Sequence, residues 1–346
     1  MSQIRQPCLQ VLADGVVLPG VLAAEITSTN HVGADRFSAR LAINADPQGL
    51  SAWDARTASL IEVQIGFANT GWASLITGAV DSLSADPIHG ELTIEGRDLS
   101  SRLIEARTQE AFANQTASDI ATLLAGRQGL TAQVTATTTP VGRYYSNGHD
   151  RVTLDRFARA STEWDLLAWL AQQEHFDLFV NGTTLFFQPA MADPTPVLVL
   201  QASVNGAQPP NITDLRVQRA MTLAGSLSVT VKSWNSQQQT AFSQTAQRTS
   251  DAGPIRSYIY MRPNLTTQAA QTMAQQRLAA LTAHELVFTA TMPGELLLAP
   301  RAAVALAGTN SVFDQTYVID EIIRRFDLRH GFVQTVRGRT ANQGIS

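Results

Sequence analysis

Short runs in which apolar and polar residues alternate, each closed by turn residues, recur along most of this 346-residue chain. A period of two is what a β-strand imposes, because successive side chains point to opposite faces of the sheet. From residue 8 to 97 the runs are nearly continuous. Cys8 to Ala13 leads into Asp14-Gly15, a hairpin turn signal. Val21 to Thr29 and Arg36 to Ile43 follow, the second placing Phe37, Ala39, Leu41 and Ile43 on one face. Leu60 to Ile65 alternates again. Ser74 to Ala85 and Gly90 to Gly96 read as two long strands joined at Asp86-Pro87-Ile88-His89. Strands spaced roughly 8–12 residues apart predict a small barrel or sandwich.

The pattern changes at about residue 98. Thr116-Ala117-Ser118-Asp119 predicts a capping box, and Ile120, Leu123 and Leu124 continue as a helix that stops near Gly126 or Gly129. Thr153 is expected to cap a second helix through Leu154, Phe157 and Ala158. Ser161-Thr162-Glu163 opens a third, with an apolar stripe of Trp164, Leu167, Ala168, Leu170 and Ala171. Phe176 to Val180, Asn181-Gly182 and Thr184 to Phe187 predict a hairpin. Pro189 to Pro196 reads as a linker. Strands return at Val197–Leu200, Ile212–Arg219, Ser226–Trp234 and Ile255–Met261, with Asn235–Gly253 expected as an exposed loop. A helix from Asn264 or Thr266 precedes the last strands, Glu285–Thr291, Ala302–Leu306, Thr316–Asp327 and Gly331–Arg339.

Two distant segments share a pattern. Val80-Asp81, His89-Gly90 and Gly96-Arg97 are matched by Ile319-Asp320, His330-Gly331 and Gly338-Arg339. Each set follows an alternating strand. Either two similar hairpins coincide, or the first and last parts of the chain are two copies of one β-domain interrupted by α+β material.

Composition narrows the function classes. The net charge of -4 lacks the basic excess of a nucleic-acid binder. Lys232 is the only lysine among 25 basic residues, and arginine is favoured at protein interfaces. Cys8 is the only cysteine, which excludes an intrachain disulfide; its apolar strand predicts a buried, inert thiol. No secretory signal and no membrane span are expected, and the sequons at Asn114, Asn181, Asn211 and Asn264 read as chance. The six histidines are scattered and form no metal motif. Nucleotide-binding glycine loops and a nucleophile elbow are absent.

Glu163 with Asp165, and Glu174 with Asp177, flank one helix. Two acids roughly 5–10 Å apart across a cleft are what a glycosidase needs; helix-end solvation accounts for these without one. Arg324, Arg325 and Arg329 fit interface pairing with carboxylates better than phosphate binding. Trp164 and Trp169 fit core and domain contact better than a sugar-stacking platform. No catalytic, cofactor-binding or metal-ligating residue is assigned.

The stretch Glu95-Gly96-Arg97-Asp98-Leu99-Ser100-Ser101-Arg102-Leu103, followed by Phe112 to Ala121, resembles the bacteriophage late-control protein D family, the tail baseplate hub proteins of contractile-tailed phages. Glu163 to Ala171 with Phe176 to Phe187 is similar to that family's helix-hairpin, and Tyr317-Val318-Ile319-Asp320 to Gly331-Phe332 to its last hairpin.

The resemblance implies a mainly β fold with α+β insertions: two tail-tube-like β-barrel domains plus a small α+β region. The expected domains are 1–104, a middle region 105–195, and 196–346 with an inserted loop and helix at about 235–284. It further implies a homotrimer whose six pseudo-equivalent barrels join a sixfold tail tube to a threefold spike. Its channel would take DNA only as a transient passenger. The chain stops at Ser346 without a needle or a lytic domain, so a separate central spike protein is expected. A tail tube or tube-adaptor protein and other baseplate proteins complete the expected partners. The location implied is the virion tail baseplate, assembled in the bacterial host cytoplasm. Two other classes compete with this non-enzymatic reading: a cell-wall hydrolase with its acids in the α+β region, and a carbohydrate-binding tail-tip module using Trp164 or Trp169.

Overall fold

The computed structural model describes residues 6–54, 56, 59–67, 71–108, 110, 112, 115–138, 140–141, 162–191, 195–202, 209–235, 240–249, 254–262 and 265–341. The fold is mainly β with α+β insertions. Its first unit comprises β1 (Pro7–Ala13), β2 (Val16–Val17), β3 (Val21–Thr29), β4 (Arg36–Ala42), a short α1 (Ser51–Asp54), β5 (Leu60–Phe67), β6 (Trp72–Asp86) and β7 (Glu91–Asp98). Asp14 and Gly15 both take positive φ, as the two-residue turn between β1 and β2 requires. The sheet runs β1-β5-β6-β7-β4-β3, antiparallel throughout. All six strands feed one core that includes Val11, Ile26, Phe37, Val63, Ile76 and Ile94, and β1 touches β3, so the sheet curls on itself. Cys8 is exposed, not buried as its apolar neighbours predict. The alternation of β1 turns Val11 and Ala13 inward and leaves Cys8 on the opposite face.

The middle region contains α2 (Ser100–Glu105), β8 (Gln115–Thr116), α3 (Ala117–Arg127), β9 (Thr131–Val134), β10 (Pro140–Val141), α4 (Glu163–Glu174), β11 (Phe176–Asn181) and β12 (Thr184–Pro189). Thr116 and Asp119 form the expected reciprocal capping box. Thr162 caps α4, and His175 closes it in the left-handed conformation. Leu99, Leu103, Ile120, Leu124, Trp164, Leu167 and Phe187 share the core of this region, so α2 packs here rather than in the first unit. The helix expected from Thr153 lies outside the described residues.

The second unit comprises β13 (Pro196–Gln201) and β14 (Asp214–Arg219), then, after an insertion, four further strands. The insertion is β15 (Leu227–Asn235), β16 (Thr240–Arg248), β17 (Arg256–Met261) and α5 (Thr267–Thr282). The remaining strands are β18 (Leu286–Pro293), β19 (Ala303–Ala307), β20 (Thr316–Asp327) and β21 (Gly331–Thr340). The insertion is thus larger than a loop and a helix. The Gln/Ser/Thr-rich stretch expected as a loop holds β16, paired along its length with β15. Only one face of β16 is covered, by α5, so Phe242 and Ala246 are all the apolar cover it needs. A half-covered edge strand is easily misread as a loop for that reason.

The second sheet runs β13-β19-β20-β21-β18-β14. In chain order this is the strand order of the first unit, with β13 standing for β1, β14 for β3, β18 for β4 and β19–β21 for β5–β7. One pairing differs: β13 runs parallel to β19, whereas β1 is antiparallel to β5. The equivalence extends to single residues. A bulge expels Asp81 from the β6–β7 ladder and Asp320 from the β20–β21 ladder. Arg97 pairs with Asp81 at 2.6 Å, and Arg339 with Asp320 at 3.3 Å. Gly96 lies opposite Phe37 and Gly338 opposite Phe288. A Cβ at either glycine would fall 2.6 Å from that ring. At the hairpin tips Asp86 accepts from His89 Nδ1 at 2.7 Å, and Asp327 is 2.9 Å from His330 Nδ1.

The two units are not separate bodies. β3 pairs antiparallel with the far half of β20, from Thr29 opposite Glu321 to Ala23 opposite Asp327. This seam joins both units into one 13-stranded sheet.

Candidate functional site at the seam

Charged side chains rarely leave water unless they are paired, yet four gather where β3 meets β20. Asp35 sits in the turn after β3, Asp98 ends β7, Arg324 lies within β20, and Arg301 precedes β19. All four line one cavity of about 280 Å³. Arg324 and Asp98 are buried.

Local backbone chemistry places each of them. Asp35 Oδ1 accepts from the Thr29 amide at 2.8 Å, ending β3, and its carbonyl accepts from the Asp98 amide at 2.9 Å. Asp98 Oδ1 accepts from the Ser100 amide at 3.1 Å and the Ser100 hydroxyl at 2.5 Å, turning the chain into α2. Arg324 donates to the Leu298 carbonyl. Arg301 has a positive φ of 73°, and its amide donates to the Ile319 carbonyl at 2.9 Å. Its guanidinium lies 4.2 Å from the centre of the Phe179 ring and 4.0 Å from Asp177, tying the α+β region to the seam.

Burial sets the titration of the group. It pushes the Asp98 carboxyl up to about 7, with the Asp35 charge adding to the rise. Burial also raises Asp35, against hydrogen bonds from Thr29 and Ser28 and the nearby Arg301 and Arg324. It lowers Arg324 to about 10, so that arginine stays cationic at neutral pH. The set contains no activated nucleophile. No group of three His, Cys, Asp or Glu placed to hold a metal occurs among the described residues. The Arg301 and Arg324 charges act on Asp35, while Asp98 is held by Ser100, so the cluster adds charge interaction to the strand pairing that joins the two units at the seam.

The residues singled out by sequence fall as follows. Glu163 is buried and accepts from Gln128 Nε2 at 2.8 Å, with Arg127 3.8 Å away; solvation at a helix end does not describe it. Asp165, two residues on, is exposed. Glu174 stands at the other end of α4, about 16 Å from Glu163 at 1.5 Å per residue. Burial raises the carboxyls of Glu174 and Asp177. Trp164 is core, and Trp169 lines an open pocket beside Asp177 and Arg301. Of the three arginines, Arg325 pairs with Glu25 across the seam at 2.8 Å, and Arg324 is the buried member of the cluster. Arg329 lies in the tip turn, its amide donating to Asp327. Among the described histidines, His89 and His330 hold hairpin tips, each against one aspartate, and none joins a group of three or more metal-ligating side chains. No helix of the described residues is long and apolar enough to cross a membrane.

Asp35, Asp98 and Arg301 were not singled out for a site. Asp98 lies in the strand exit before α2, where Asp-x-Ser reads as an ordinary turn. Nothing local to Arg301 marks it.

A family model described as the Alg8 N-terminal domain matches residues 58–319, most of the chain. The chain belongs to that family. The matched span opens just before β5 and ends within β20, so it takes in the α+β region, the insertion and parts of both units. No curated protein matches the chain. Solved structures do. The tail protein from Neisseria meningitidis MC58 superposes with a TM-score of 0.71 at 17% identity, covering 97% of each chain. The 43 kDa tail protein of prophage MuSo2 from Shewanella oneidensis gives 0.71 at 19% identity, covering 96% of this chain and 98% of that one. The E. coli c3393 protein is described as a type VI secretion system component similar in structure to the T4 bacteriophage tail proteins gp27 and gp5. It gives 0.52 at 9% identity, over 95% of this chain and 76% of that one. The fold is therefore one shared with phage tail proteins, over the whole length of this chain.

Proposed function

We propose that this chain is a structural hub of a phage-type tail, of the late-control protein D kind. Three copies form a ring of six pseudo-equivalent β units that adapts a sixfold tube to a threefold spike and leaves a channel for DNA. The observation that carries the reading is the duplication itself: two units of one strand order, joined edge to edge within one chain. A chain built this way repeats twice per subunit, so three subunits present six similar units to one neighbour and three identical subunits to another. Rings of this kind need head-to-tail contacts whose rotation closes. The shared fold with tail proteins supports the setting, which is the virion tail baseplate, assembled in the host cytoplasm. The partners are a separate central spike, a tube or tube-adaptor protein and other baseplate proteins. No cofactor enters this role, and the buried cluster at the seam is structural rather than catalytic.

Negative-stain electron microscopy of the purified protein tests the reading. A threefold ring with six lobes and an open centre is the expected class average. Particles of any other symmetry overturn it.

A further inference from the structure

The join between the two units uses only half of the available edges. β3 and the far half of β20 are consumed in the seam. Their counterparts by duplication are β14 and the far half of β6. Among the described residues β14 pairs with β18 alone, and Ser82–Asp86 of β6 pairs with β7 alone. Every residue of that stretch of β6 is exposed. Leu83 is 41% exposed, while Ile322, which holds the same place in β20, is at 0%. Uncovered edges of this kind are normally blunted or paired.

We propose that β14 of one copy pairs antiparallel with Ser82–Asp86 of a second copy of this chain. The register follows from the equivalences. Phe37 and Phe288 mark the same position, so Ile26, opposite Phe37, corresponds to Val217, opposite Phe288. The bulges at Asp81 and Asp320 align Ser82 with Glu321. Within the chain Ile323 faces Thr27, Arg324 faces Ile26 and Arg325 faces Glu25. Between chains Ser84 then faces Gln218, Ala85 faces Val217 and Asp86 faces Arg216.

The last pair is the strongest support. The internal seam carries the Glu25–Arg325 bridge. The transferred register puts Arg216 where Glu25 stands and Asp86 where Arg325 stands, so the same bridge returns with its charges exchanged. Arg216 is exposed on the lone chain, free to reach across. The buried Arg324 is replaced by Ala85 opposite Val217, a small apolar pair that brings no unpaired charge. The arm of β6 beyond the bulge is two residues shorter than that of β20, so five pairs form instead of the seven in the internal seam, four within β14 and the fifth between Ser82 and Ala220 just past its end.

The number of copies rests on the hub reading; the contact does not. In a Cys8→Ser background, the pair Ser84→Cys and Gln218→Cys is treated with a mild oxidant or a short bis-maleimide. The expected product is an intermolecular ladder ending at three chains, formed far more efficiently than with the pair Ser84→Cys and Asp214→Cys, four residues out of register. Asp86→Arg or Arg216→Asp alone is expected to weaken self-association by about tenfold or more, since each sets like charges against each other. The double variant D86R/R216D is expected to regain it. A trimer that neither cross-links in register nor responds to the swaps overturns the seam and leaves the hub reading standing. Cross-linked open filaments support the seam and overturn the ring. A wild-type chain that stays monomeric through the micromolar range overturns both.

Discussion

Asp98 shows how one residue couples fold to solution conditions. Its carboxyl titrates near 7 in the folded chain because burial disfavours the charge, and an unfolded aspartate titrates near ~3.9. Between those values the folded state holds a proton that the unfolded state has lost, so stability falls as pH rises through the window. Asp98→Asn keeps an oxygen for Ser100 and removes the titration. Thermal midpoints of both proteins at pH 5 and pH 8 check this. The wild type is expected to lose stability toward pH 8 by more than the variant; equal losses would place the titrating group elsewhere. Asp98 was in plain view in the sequence, but Asp35, Arg301 and Arg324, which line the same cavity, lie far from it along the chain.

At the scale of elements, the duplication is the organising fact, and two glycines test it. Gly96 and Gly338 admit a phenylalanine ring against bare backbone, and a Cβ at Gly338 would also fall 2.6 Å from the Val318 carbonyl oxygen. Gly96→Ala and Gly338→Ala are each expected to destabilise the chain by about 1–3 kcal/mol, the range for overpacking a filled core. Urea denaturation measures both; a neutral effect at either site would break the equivalence there. Reading the strands themselves succeeded where both faces of the alternation are well defined, as in β4, β5 and β21. It failed at β16, where backbone pairing to β15 and a single covering helix make a strand from a polar segment. It also failed for Cys8, because an apolar run does not say which of its two faces is inward.

At the scale of the whole molecule the open edges dominate. In an assembled ring the amides of residues 80–87 and 214–220 are expected to exchange with deuterium more slowly than in the dissociated chain, while those of β3 stay protected in both. Hydrogen-exchange mass spectrometry at concentrations above and below the assembly midpoint reads this. Unchanged exchange at both edges on assembly would mean that the copies meet on another surface. Protection at one edge without the other would contradict a head-to-tail contact.

Most of the elements, and their repetition, are legible in local runs of residues. Alternation, turn residues and capping boxes act over a few residues, so most of the strands, the helices at Thr116 and Thr162 and the echo of Asp81-Arg97 in Asp320-Arg339 are visible in the sequence. That the two units share one sheet, and which edges are consumed or left over, emerges only from the folded chain. So does the meeting of Asp35, Asp98, Arg301 and Arg324. Those outcomes depend on which strand lies beside which across hundreds of residues. The physical cause is that strand edges all carry the same backbone donors and acceptors, so pairing is selected by the packing of whole faces and by burial of charge, neither of which any local window of residues contains.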